Sequence, residues 1–248
     1  MNSPANIEEY VRRATAMRNE PAPGSEHALT RTLRQGTAQG PIAHAGARAT
    51  TAPDDVFRGM RTRLLALAGA RNFVTLVVAV SPRSGGSFVA RNLAEAFAFD
   101  ASRSVLLMDC NLHHPAQQAA LGVDGAHGGL IDYLEHAGST PQQIQYRTRV
   151  PRLSLIPAGT PRAASAELLS APRMRGLVDG LRAQSADRYL ILDGPALNGS
   201  PDALLLSELA DYVVIVAAFG RDTAAAINQA VAGLDPKKVA GVTFNYPP

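Results

Sequence analysis

F-V-T-L-V-V-A-V-S-P-R-S-G-G-S-F, residues 73–88, decides how this chain folds. Eight residues run without a charge from Phe73 to Val80, too short for a stand-alone buried helix and rich in β-branched side chains. Such a run reads as a strand covered on both faces. Residues 81–87 bring Pro82, Gly85 and Gly86, which mark a turn, and apolar residues at helical spacing then predict a helix over 88–99.

The same unit recurs outward from this stretch. Strands are predicted over 104–109, 153–157, 189–193, 212–217 and 239–244. Helices are predicted over 54–67, 172–184, 203–208 and 222–233. In the first of these helices Asp54 or Asp55 supplies the N-cap, and Val56, Met60, Leu64 and Leu67 form the inward stripe. Buried strands alternating with helices mean an α/β fold, a doubly wound, mainly parallel sheet with helices on both faces. No internal repeat is visible. Residues 54–248 read as this domain. Residues 1–53, rich in Ala, Gly, Pro, Thr and Arg, read as a flexible extension with one short amphipathic helix over 7–17, serving as linker or docking segment.

The 248 residues and a hydrophobic share of 46% suffice for such a core. The single cysteine, Cys110, excludes a disulfide framework and reads as a small core residue. No run approaches the roughly 18 apolar residues of a membrane helix, and no signal-peptide core is visible, so a cytoplasmic location is expected. The pI of about 9.3 suggests nucleic acid. The net charge, however, is only +3. Beyond residue 50 the chain carries 18 basic against 17 acidic residues, which leaves no footprint for a phosphate backbone.

Ligands of parallel sheets bind where strands end, and Ser81, Asp109 and Asp193 all end strands. A strand, a glycine-rich loop and a helix N-terminus together form a phosphate cradle. The full pattern G-x-x-x-x-G-K-[ST] adds a lysine for the terminal phosphates and a hydroxyl for Mg²⁺. Aligned from the helix side, Gly86 stands where that lysine belongs and Ser87 where the hydroxyl belongs. The chain's only lysines are Lys237 and Lys238. Arg83 is the local candidate cation, although its planar fork replaces a lysine poorly in a tight loop. Gly85 and Gly86 also fit a plain tight turn, and Ser87 a helix N-cap. Asp193, closing Y-L-I-L-D-G-P at 189–195, reads as a carboxylate for Mg²⁺ or as a cap for the next segment. Asp109, in V-L-L-M-D-C-N-L-H-H-P at 105–115, suits ordering a water or a metal-bound water. The adjacent His113 and His114 point differently and form no metal pair.

These stations, in this order, resemble the bacterial tyrosine autokinases (BY-kinases), which are similar to the MinD and ParA ATPases of the P-loop superfamily. D-V-F-R-G-M-R at 55–61 resembles the family's E-x-x-R-x-x-R oligomerisation motif, with Asp55 for the glutamate and Arg58 and Arg61 in register. I-P-A-G at 156–159, A-E-L-L-S-A-P-R-M at 166–174 and S-P-D-A-L-L-L-S-E-L-A-D at 200–211 are close to family wording. The resemblance covers residues 54–245. It implies ATP·Mg at the loop residues Ser81, Arg83, Ser84, Gly85, Gly86 and Ser87, with Mg²⁺ on Ser87 and Asp193. Asp109 matches the first aspartate of the family's D-x-D motif and Asn111 replaces the second. Asn245 matches the asparagine near the adenine.

The resemblance further implies an inner-membrane polysaccharide co-polymerase of the Wzc type as partner, homo-oligomerisation, and a role in capsule or exopolysaccharide export. The departures concern catalysis. The loop is about two residues short of S-P-x-x-G-x-G-K-S-T and lacks its lysine. Phe88 replaces the threonine, and Tyr246 stands alone where the family has a tyrosine cluster. The expectation is a non-catalytic member, an adaptor of the co-polymerase that requires no cofactor and binds ATP or ADP with Mg²⁺ only weakly. The alternatives are an active autokinase with Arg83 or a partner residue in the lysine's place, and a MinD- or ParA-like positioning protein.

Overall fold

Strand β1, Val74–Ala79, is buried at every position. Val74, Leu76 and Val78 enter one core, while Val77 enters the other. This explains the unbroken apolar run, since both faces of the strand are covered. A computed structural model describes residues 52–245 apart from 70, 162–164 and 199. The expectations for the extension before residue 52 and for Tyr246 lie outside the described residues.

The elements follow in order: α1 Ala52–Ala68, β1, α2 Gly86–Ala98, β2 Ser104–Asp109, α3 Gln117–Leu121, α4 Leu130–Glu135, β3 Tyr146–Arg147, β4 Leu153–Ile156, α5 Ser165–Ser170, α6 Pro172–Ala183, β5 Arg188–Asp193, α7 Asp202–Ser207, β6 Tyr212–Ala218, α8 Ala224–Val231 and β7 Val239–Asn245. They form a seven-stranded sheet in the order β3-β4-β2-β5-β1-β6-β7. Every pairing is parallel except β3 with β4. The expected α/β architecture is therefore present. The short β3 edge strand was not foreseen.

Three local expectations need correction. Helix α1 begins at Ala52, so Asp54 and Asp55 lie within its first turn and do not cap it. Its inward stripe is also turned: Phe57, Leu64 and Ala68 are buried, whereas Val56 and Leu67 are 46% and 38% exposed. Phe57 meets Phe88 of α2 edge-on, ring centroids 6.1 Å apart. The larger aromatic residue wins the contact that the spacing alone assigned to Val56. Helix α8 starts after Asp222, because Thr223 caps it by accepting from the Ala226 N–H at 3.2 Å.

At the N-terminal end of the sheet, Phe73, Phe97, Tyr189 and Tyr212 close the core with ring contacts of 4.8 to 5.9 Å. The opposite end carries the loops in which parallel sheets bind ligands. None of the helices among the described residues is long and apolar enough to cross a membrane.

Candidate functional site

The loop after β1 turns into α2 through Gly85, whose φ of 88° is the left-handed conformation that glycine adopts without steric cost. Arg83 also has a positive φ, 64°, and is exposed at the loop tip. Helix α2 starts at Gly86, two residues earlier than expected, so Ser87 lies inside it and is not its cap. A Cβ at Gly86 would stand 3.3 Å from both the Cβ and the backbone N of Ala79. The position aligned with a lysine is therefore tight against β1.

Residues after β6, the strand beside β1, and at the end of β7 hold the loop. Ser84 is fully buried, and its hydroxyl donates to Asp222 Oδ2 at 2.8 Å. Arg221 Nη2 donates to Ser84 Oγ at 2.6 Å and to the Pro82 carbonyl at 2.9 Å. Asn245 Nδ2, at the end of β7, donates to the Ser84 carbonyl at 3.1 Å. Asp222 Oδ2 accepts the Ala218 N–H at 2.7 Å as well. Burial works against the Asp222 charge, but the donors at Ala218, Ser81 and Ser84, together with Arg221, hold its carboxyl below the usual range. Ser81, Ser84 and Asn245 thus lie together around the loop. Arg221 and Asp222 were missed; their signal was position, just past the carboxyl end of a parallel strand.

Asp109 and Asp193 end adjacent strands and are partners in the β2–β5 register. Both are fully buried. Asp109 accepts three backbone N–H groups, from Asn111 at 3.2 Å and from Ala116 and Gln117 at 2.9 Å. It thereby satisfies the first amides of α3, an anchoring role. Burial raises its pKa against those donors. Asp193 Oδ2 accepts from Gln117 Nε2 at 2.6 Å. The same nitrogen donates to the Ser87 carbonyl at 2.9 Å. Burial pushes the Asp193 carboxyl up to about 8, with the Asp109 charge adding to it and the Gln117, Ser87 and Arg91 groups opposing. Cys110, buried between these strand ends, has its thiol raised by burial and then by both aspartates.

Mg²⁺ needs oxygen donors in near-octahedral geometry. Ser87 and Asp193 supply the right atoms, but the Ser87 hydroxyl is turned onto the Asp193 carboxyl, whose Oδ2 also takes the Gln117 amide, and Asp109 is committed to backbone. As folded, these residues do not fit the ion. Gln117, a buried polar residue on the first turn of α3, gave no signal in the sequence beyond its distance of eight residues from Asp109.

The remaining candidates are dispersed. Asn111 Oδ1 accepts the His114 N–H at 3.3 Å and shapes its own turn. His113 Nε2 lies 3.5 Å from Asp202 Oδ2. No group of three or more His, Cys, Asp or Glu residues suited to a metal occurs among the described residues. The motif residues of α1, a helix that shares a core with α2, are not part of this cluster. Asp55 is exposed, Arg58 stands 5.7 Å over the Phe99 ring, and Arg61 Nη1 donates to the Ala96 carbonyl at 2.8 Å.

No protein-family model matches the chain. It is 32% identical over 200 residues to EpsB of Ralstonia solanacearum, covering 78% of this chain and 26% of that protein. To the succinoglycan biosynthesis transport protein ExoP of Rhizobium meliloti it is 30% identical over 184 residues, 72% and 23% of the two chains. The chain thus spans about a quarter of the length of these curated relatives. Among solved structures, the BceF tyrosine kinase domain superposes with a TM-score of 0.73 at 26% identity, covering 100% of this chain and 99% of that one. The cell division ATPase MinD of Pyrococcus furiosus, at 20% identity and TM-score 0.54 over 70% of each chain, shares the fold alone. By sequence and by fold, the chain is a homologue of the bacterial tyrosine-kinase (BY-kinase) domains, built on the P-loop fold that they share with the MinD and ParA ATPases.

Proposed function

We propose that this protein is a non-catalytic BY-kinase-like component of exopolysaccharide synthesis and export. It acts as a cytoplasmic adaptor of a membrane polysaccharide co-polymerase, self-associates through α1, and is recruited to the inner membrane by that partner. The name of ExoP, a succinoglycan biosynthesis transport protein, supports the polysaccharide setting, and that of Wzc of Salmonella typhimurium, a tyrosine-protein kinase, the kinase-like ancestry.

The observation that carries the non-catalytic reading is the loop itself. Gly86 leaves no cation on the first turn of α2, and the loop's buried serine is bonded to Asp222, Arg221 and Asn245 of the same chain. Phosphoryl transfer relies on pre-placed positive charge, and removing one such donor typically costs about 10²–10³ in rate. ATP or ADP with Mg²⁺ binds weakly here and is not required.

Incubating the purified protein with radiolabelled ATP tests the reading. No phosphotyrosine is expected. Label that disappears in Asp193→Ala would overturn the adaptor in favour of an active autokinase. Calorimetric titration with ADP·Mg adds the affinity, expected to be millimolar or weaker.

A further inference from the structure

One nitrogen, Gln117 Nε2, donates to two oxygens, Asp193 Oδ2 and the Ser87 carbonyl, at 2.6 and 2.9 Å. The Ser87 carbonyl can only accept, so the nitrogen and not the oxygen of this amide must face it. Both N–H groups are thereby used. The residue is fully buried and its backbone N–H is bonded to Asp109 Oδ2. Gln117 is thus tied to the first aspartate by its main chain and to the second by its side chain.

The arrangement leaves atoms unsatisfied. Gln117 Oε1 and Asp193 Oδ1 are buried with no hydrogen-bond partner. An apolar side chain at 117 would remove the Oε1 orphan but take a donor from Asp193 Oδ2, so the amide is there for its donors. Those donors join the Ser87 main-chain carbonyl to a strand-end carboxyl that the Ser87 hydroxyl also reaches, and it is on this hydroxyl and carboxyl that a hydrated divalent cation sits in a phosphate loop.

We infer that Gln117 blocks the cation position of this site, its amide holding the Asp193 carboxyl to the Ser87 main-chain carbonyl while the Ser87 hydroxyl is turned onto the same carboxyl, so that the chain closes the metal station with residues of its own. The inference rests on the adaptor reading and deepens it: the crevice is complete without a metal. Any nucleotide that enters does so without a protein-anchored divalent ion.

The test is Mn²⁺ alone, without nucleotide, titrated into the full chain and followed by the electron paramagnetic resonance signal of the free ion. The wild type is expected to show no saturable binding below millimolar. Gln117→Ser, which clears the position, and Gln117→Glu, which keeps its shape and adds a ligand, are each expected to bind at least tenfold more tightly. Adding Asp193→Asn to either should abolish the gain, and thermal melts report folding. If one variant unfolds, the other still decides.

Micromolar Mn²⁺ binding by the wild type would overturn the inference. Folded variants that bind no better than the wild type would overturn it too. The titration does not read phosphorylation, so its failure leaves the adaptor reading standing. Phosphotyrosine in the labelled-ATP experiment would sink that reading whatever Mn²⁺ does.

Discussion

Asp109 and Asp193 lie side by side at the ends of β2 and β5, two buried carboxyls in direct register. Only one is provided with backbone donors: Asp109 accepts three N–H groups, while Asp193 depends on side chains. The asymmetry separates their chemistry.

Stability should fall as pH rises across the neutral range. Burial, with Asp109 beside it, raises the folded Asp193 pKa to about 8 from the 3.8 of a free aspartate. Between those values the native state holds a proton that the unfolded chain releases. Stability then declines with a slope of up to about 1.4 kcal/mol per pH unit. Melting curves from pH 5 to 8 check this, and Asp193→Asn should flatten the decline.

Asp222→Ala should loosen the loop more than Arg221→Ala. Losing Asp222 strands the donors of Ser84 and Ala218, at a cost of about 1–3 kcal/mol. Arg221 is exposed, and its loss should cost about 1 kcal/mol or less. Hydrogen exchange at residues 81–85 should accelerate in both variants. Unchanged protection would mean that the turn holds itself.

Restoring the missing lysine should not restore an enzyme. In Gly86→Lys the new Cβ meets Ala79 at 3.3 Å on two atoms, one of them backbone. A drop of about 1–3 kcal/mol in stability is expected, with no phosphotyrosine gained. Label appearing in this single variant would show that the rest of the machinery is intact.

Arg58→Ala should lower the mass seen by light scattering while leaving the melting temperature nearly unchanged. Its guanidinium stands over the ring of Phe99, which is 67% exposed. Arg61→Ala is the poorer probe, because Arg61 also bonds the Ala96 carbonyl and its loss would weaken the α1–α2 contact. An unchanged mass would count against α1 as an oligomer surface.

The sheet was legible because strands buried on both faces announce themselves as continuous apolar runs, and their polar last residues, Asp109 and Asp193, mark where the crevice lies. The face of α1 was not. Val56 and Leu67 share a helical stripe as regular as that of Phe57, Leu64 and Ala68, and periodicity cannot say which of two adjacent stripes meets the sheet. Gln117, Arg221 and Asp222 escaped notice for a different reason. Each acts through one or two hydrogen bonds to residues 30 to 139 positions away. No local pattern encodes such a partnership.

The clasp on Ser84 also sets a timetable. Its hydroxyl is held by Asp222, 138 residues later, and its carbonyl by Asn245, 161 residues later. During synthesis at roughly 5–20 residues per second, the turn after β1 leaves the ribosome many seconds before either partner exists. The first strand–turn–helix unit therefore waits without its clasp, and the turn is fully tied only once β7 has been made. A chain cut short before residue 221 would present this turn untied, however well its earlier strands had paired.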